Sequence, residues 1–288
     1  MSSLGIIGGS GLYGLECEST NLKIETSWGS PSSEIIKCEI NNKQVFFLPR
    51  HGEHHLINPT SINYRANIDA LKQVGVTDII SISAVGSLSD KILPGSFAII
   101  NQYIDKTYKR ENTFFDKDII AHVSMAIPNS VGLESCARDI MSKLNYDYHT
   151  NIKYVAIEGP QLSSHAESKY YHDAGFDVIG MTNMPEAKLA REAEIRYQSI
   201  GMVTDFDCFK EDLCKTDIPK IIEVMKLMTK NVQIFINEFI DVYEQYTKQD
   251  DEISRCLDTS IISNIDVASD ETKKQLKYIL RRYLANRN

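Results

Sequence analysis

Short apolar runs alternate with stretches of helical periodicity from residue 4 to about residue 246. Leu4-Gly5-Ile6-Ile7 predicts a short buried strand that ends in a glycine turn, and Gln44-Val45-Phe46-Phe47-Leu48 predicts another, stopped by Pro49. The same β-rich, continuously apolar character marks residues 78–83, 97–100, 155–157, 177–179 and 199–203. Between them, residues 61–76 place Ile62, Ala66, Ile68, Leu71 and Val74 at helical spacing. Helical patterns recur over Gly132–Leu144, Ser164–Asp173, Pro185–Glu194 and Ile218–Tyr246. Apolar strands alternating with helices predict an α/β fold: a single domain with a central mixed β-sheet flanked by helices. No repeat or linker divides residues 1–288. The stretch from about residue 250 is more polar and predicts a tail ending in a charged, solvated helix over Asp270–Leu284.

Composition narrows the function classes. Hydrophobic residues at 42% and charged residues at 24% fit a folded globular chain, which sets disorder aside. The net charge of −8 and the absence of a Lys/Arg run disfavour a nucleic-acid partner. No apolar run approaches the roughly 18–20 residues that cross a bilayer, so no membrane partner is expected. The first ten residues lack a basic region and a long apolar core, so no signal peptide is expected. Cysteines at 17, 38, 136, 208, 214 and 256 form no Cys-x-x-Cys pair, which predicts neither a zinc site nor a disulfide framework and fits a reducing cytoplasm.

Candidate chemistry gathers at predicted strand ends. Gly9-Ser10-Gly11-Leu12-Tyr13-Gly14 spells the glycine fingerprint of dinucleotide sites, but residues 20–31 hold β-branched residues, Gly and Pro where that site needs a helix. A nicotinamide-dependent dehydrogenase is therefore a distant alternative. The turn still offers backbone N–H groups and the Ser10 hydroxyl to an anion. Arg50 and His51 follow the strand 44–48, where Arg can grip phosphate through paired hydrogen bonds and His adds a donor. His51, His54 and His55 lack the spacing of a metal-binding helix, and no metal is expected. Ser83-Ala84-Val85-Gly86-Ser87 places hydroxyls and small residues at a third strand end. Asp205 and Asp207, two apart on an extended segment, share one face, and like charges held close raise one pKa. A carboxyl so raised can donate to purine N7 as the base departs. Met181 and Thr182 end a further strand.

These segments together resemble the methylthioadenosine phosphorylase family within the purine nucleoside phosphorylase superfamily. The resemblance rests on residues 5–12, 50–52, 63–68, 86–88, 157–160, 163–168, 185–187, 191–194 and 204–208, in matching order and spacing. It implies phosphorolysis of 5′-methylthioadenosine, with inorganic phosphate as co-substrate and no cofactor. Phosphorolysis of adenosine, or of 6-oxopurine nucleosides such as inosine, is the alternative. By the same resemblance Ser10, Arg50, His51, Ser83, Ala84 and Thr182 would bind phosphate. Met181 would lie against the ribose, and Asp205 and Asp207 would hold the base and act in catalysis. Leu162 and Ser163 would also border the base, and Ile218 and Ile222 would wall the methylthio group. His122 would reach a neighbouring subunit's pocket in a homotrimer or hexamer. Related enzymes for oxopurines carry Asn in place of Asp205 and Glu in place of Ser163, so this chain favours an aminopurine. Gln161 and Leu162 stand where Arg and an aromatic residue are expected; losing the aromatic would weaken purine stacking by about 1 kcal/mol.

Overall fold

The computed structural model describes residues 2–9, 18–213, 217–249 and 251–287. Ser10 and the glycines at 11 and 14 lie outside them. Nine strands and nine α-helices follow one another in the described residues. They run β1 (Leu4–Gly8), β2 (Ser19–Leu22), β3 (Ile35–Ile40), β4 (Lys43–Pro49), α1 (Tyr64–Gln73), β5 (Asp78–Ser87), β6 (Phe97–Asp105), α2 (Val131–Lys143), β7 (Tyr148–Ala156) and α3 (His165–Asp173). Then come β8 (Val178–Gly180), α4 (Asn183–Glu192), β9 (Arg196–Phe206), α5 (Ile218–Tyr246), α6 (Asp251–Ser254), α7 (Leu257–Ser260), α8 (Asp270–Gln275) and α9 (Arg281–Ala285).

All nine strands join one mixed sheet in the order β2-β3-β4-β1-β5-β8-β7-β6-β9. β5 also pairs with β9 in parallel, so the last five strands of that order close into a ring. β1 runs parallel to β4 and β5, which brings the C-terminal ends of β1, β4, β5 and β9 to one edge. That edge is where an α/β sheet exposes a ligand crevice.

Apolar side chains face both ways along the strands. In β4, Phe46 and Leu48 join the core under α1 and α4, while Val45 and Phe47 join the core under α2 and α5. This two-sided burial explains why the strands read as continuous apolar runs. The helices start where side chains satisfy their first amides: the Ser130 hydroxyl accepts from Leu133, and Ser164 and Glu167 form a capping box on α3. No helix among the described residues is long and apolar enough to cross a membrane.

Two expectations change. β2 and β3 carry no continuous apolar run; they form an antiparallel edge beyond β4 in which β2 is largely exposed and only Ile35 and Cys38 of β3 are buried. The tail is not a solvated helix. Its charged stretch breaks into α8 and α9, and Leu257, Ile265, Leu276, Ile279 and Leu280 are buried in the core shared with α1 and α4. Arg282 clamps it there with two hydrogen bonds of 2.6 and 2.7 Å to buried Glu194.

Candidate active site

A cleft of about 350 Å³ opens at the sheet edge where the parallel strands end. Gly9, after β1, and Arg50 and His51, after β4, line one side. β5 contributes Ser83 and Ala84, and the turn after β8 contributes Met181 and Thr182. Asp205 and Asp207 lie at the end of β9, and Leu162 and Ser163 precede α3. Residues far apart in the chain meet because their strands are neighbours in the sheet.

The anion side differs from expectation in two details. Arg50 is fully buried, and its paired donors go to Glu186 on α4, with Nε donating at 2.7 Å and Nη2 at 3.0 Å. Nη2 also donates to Ser81 Oγ at 2.6 Å and Nη1 to the Ile82 carbonyl at 3.0 Å. All but one of the guanidinium's donors are thus used, and a forked grip on phosphate is not available. Burial works against the Arg50 charge, but Glu186 outweighs it and the guanidinium stays ionised. His51 Nδ1 lies 2.8 Å from the Ile57 carbonyl, and its ring stacks on His55 at 4.1 Å. Burial, then the Arg50 charge, lowers its pKa to about 4. A neutral ring with Nδ1–H donating to a carbonyl presents Nε2 to the cleft as an acceptor, not a donor. The Ser83 hydroxyl is buried without a hydrogen-bond partner among the described residues. Ser10 lies outside the described residues.

The acid side depends on an irregularity of β9. Val85 pairs with Val203 and Gly86 with Asp205, leaving Thr204 as an extra residue in the ladder. Bulges of this kind re-aim the side chains beyond them. Met202 lines the cleft before the bulge, Thr204 at it, and Asp205 and Asp207 after it. Asp205 Oδ1 accepts from the Thr204 hydroxyl at 2.7 Å. Its pKa is raised to about 6, first by burial and then by Asp207, against the Thr204 hydrogen bond. Burial, not the paired charge, is thus the larger cause. Asp207 is also pushed up by burial, and its Oδ2 has no hydrogen-bond partner among the described residues. The Ser163 and Ser168 hydroxyls pull its pKa back but reach it with no hydrogen bond of ordinary geometry.

The third wall is apolar. Ile218, Ile221, Met225 and Thr229 line the cleft from one face of α5. Ile222, one residue and roughly 100° around the helix from Ile221, does not line it and is half exposed. Leu162 stands half exposed against the cleft. His122 does not line this cleft; its backbone N–H donates to the Ser260 carbonyl at 2.8 Å.

The residues behind the cleft carried no local sequence signal. Arg110 sits in a long irregular segment between β6 and α2, yet its side chain is buried. It donates to the carbonyls of Met181 at 2.5 Å, Met184 at 2.6 Å and Glu158 at 2.7 Å, and to Glu158 Oε1 at 2.9 Å. Burial alone would raise Glu158, but the Tyr108 amide, Arg110 and Thr60 hold it at about 2. Only Glu158 and Glu186 fell within blocks that the resemblance had already marked.

The comparisons with known proteins agree with this geometry. The family model described as "Phosphorylase superfamily" matches residues 3–241. The S-methyl-5′-thioadenosine phosphorylase of Rhodospirillum rubrum is 40% identical over 284 residues, covering 98% of this chain and 97% of that one. That of Saccharolobus solfataricus is 47% identical over 235 residues, 81% of this chain and 85% of the relative. A crystal structure of methylthioadenosine phosphorylase from an antarctic soil metagenomic library superposes with a TM-score of 0.92 at 38% identity, covering 97% of this chain and 99% of that one. The Schistosoma mansoni methylthioadenosine phosphorylase in complex with tubercidin superposes at 0.83 with 30% identity, over 93% of this chain and 100% of that one.

Proposed function

Since the chain belongs to the phosphorylase superfamily, and within it to the S-methyl-5′-thioadenosine phosphorylase family, we infer that its cleft carries out phosphorolysis of 5′-methylthioadenosine. The products are adenine and 5-methylthioribose 1-phosphate, and the enzyme is a pentosyltransferase. One observation carries this reading: an anion-friendly strand edge, a carboxyl raised to about 6 and an apolar helix face meet in a single cleft.

A phosphate oxygen attacks C1′ while the C1′–N9 bond breaks and the sugar gains oxocarbenium character, as in glycoside hydrolysis. The electron pair leaves with the base, and protonated Asp205 donates its proton to N7 so that adenine departs neutral. Asp207 accepts from the exocyclic amine and disfavours an oxopurine, whose carbonyl would meet it lone pair to lone pair. Thr182, Ser83 and the backbone after β1 hold the phosphate, with the remaining Arg50 donor. His51 Nε2 suits a protonated phosphate oxygen. Met181 backs the ribose, and Ile218, Ile221 and Met225 take the methylthio group. Phosphate is the co-substrate, and the chemistry calls on no cofactor or metal.

The assembly we propose is a homotrimer, with a hexamer as the alternative, in a cytoplasmic setting. Support comes from exposed apolar residues such as Ile127, Val131, Ile262 and Val267, and from the placement of His122 outside its own cleft. Light scattering tests it: a trimer has three times the 32.6 kDa chain mass.

The deciding assay incubates the protein with methylthioadenosine, adenosine and inosine, each with and without phosphate, and identifies products. Phosphate-dependent adenine release, fastest from methylthioadenosine, is expected. Hydrolysis without phosphate, or preference for inosine, would overturn the reading.

A further inference from the structure

Tyr154 is a fully buried residue of β7, paired with Val178 of β8. Its ring runs beneath Gly180, where a Cβ would stand 2.3 Å from the phenol oxygen and 2.8 Å from the ring. Only glycine leaves room for it. The hydroxyl thereby passes the end of β8 and accepts the Thr182 backbone N–H at 3.2 Å.

Thr182 is the N-cap residue of α4. A threonine there ordinarily turns its hydroxyl back onto an amide of the first turn. Thr182 makes no such bond; its backbone (φ −121°, ψ −21°) departs from the extended N-cap form, and Met184 (φ −119°, ψ 131°) interrupts the first turn. Thr182 nevertheless lines the cleft. Burial pushes the Tyr154 phenol up to about 12, so it remains a neutral hydroxyl.

We propose that Tyr154 is a positioning residue for the phosphate half of the cleft: by accepting the Thr182 N–H its hydroxyl fixes the backbone of that residue, and the uncapping Thr182 hydroxyl is thereby aimed at bound phosphate. Gly180 is the partner that admits it. The inference rests on the reading that Thr182 contacts phosphate, and the test separates the two.

Tyr154→Phe and Thr182→Val are assayed with methylthioadenosine and inorganic phosphate, with Tm recorded for each. Both should raise KM for phosphate by about three- to tenfold, the effect of one lost hydrogen bond. KM for methylthioadenosine should stay within about twofold. If Thr182→Val raises the phosphate KM and Tyr154→Phe does not, Tyr154 has no positioning role. If Tyr154→Phe weakens both substrates equally, its role is structural and the inference falls. If Thr182→Val leaves the phosphate KM unchanged, the Thr182 reading fails and the inference with it. Should Tyr154→Phe fold poorly, Gly180→Ala keeps the hydroxyl but displaces it, and must show the same phosphate-selective loss.

Discussion

Two carboxylates close in sequence have different surroundings, which fit them to different work. Asp205 has one hydroxyl partner and a pKa of about 6, while Asp207 has a buried oxygen left for a ligand. In the proposed reaction Asp205 is the proton donor, and for this it must be protonated in the free enzyme. kcat/KM for methylthioadenosine should therefore fall about tenfold per unit as pH rises above about 6. Asp205→Asn should lower kcat/KM by about 10²–10⁴-fold and abolish that limb of the pH profile; an intact profile in the variant would assign the proton elsewhere. At this scale residue type was legible in the sequence and hydrogen-bond economy was not. Arg50 and His51 were identifiable as cleft residues, but Glu186 and the Ile57 carbonyl, which decide what each can offer, come from distant positions.

At the scale of elements, α4 ties the cleft to the segment between β6 and α2. Glu192 accepts from the Phe114 amide at 2.6 Å and the Thr113 hydroxyl at 2.7 Å, yet burial raises its pKa to about 7 against those bonds. The unfolded chain releases this proton near 4.5 and the folded chain holds it to about 7. Folding stability from this group is thus present below 4.5 and lost as pH rises to about 7. Glu192→Gln should gain Tm relative to the parent progressively across that window, which thermal melts at several pH values would measure. Arg110 makes the other tie, and Arg110→Met would leave the Glu158 carboxylate buried without its cation. A loss of about 3–5 kcal/mol in denaturant unfolding is expected. Strand and helix positions were legible because their apolar patterns are long. The Arg110 segment was not, because a lone arginine among polar residues has no period.

For the whole molecule, the sequence pattern identified the α/β sheet and misjudged the tail. Apolar positions such as Leu257, Ile265, Leu276 and Leu280 are too sparse to show a helical stripe, yet each fills a gap in a core built by other elements. Leu280→Ala should cost about 2–5 kcal/mol by chemical denaturation, the cost of a buried cavity; a surface helix would lose almost nothing. The closed ring from β5 to β9 brings Ser83 and Ala84 beside Asp205 on adjacent strands, and no pattern within one strand encodes that closure.

The extra residue at Thr204 sets the phase of the chain. Upstream of it the even-numbered Met202 faces the cleft; downstream, the odd-numbered Asp205 and Asp207 do. Were the ladder regular through this residue, Thr204 would stand opposite Gly86 and Asp205 opposite Ser87, and both carboxylates would turn to the other face. The chain can lengthen or shorten in its loops, but between Val203 and Asp205 it is the bulge that decides which face the acids meet.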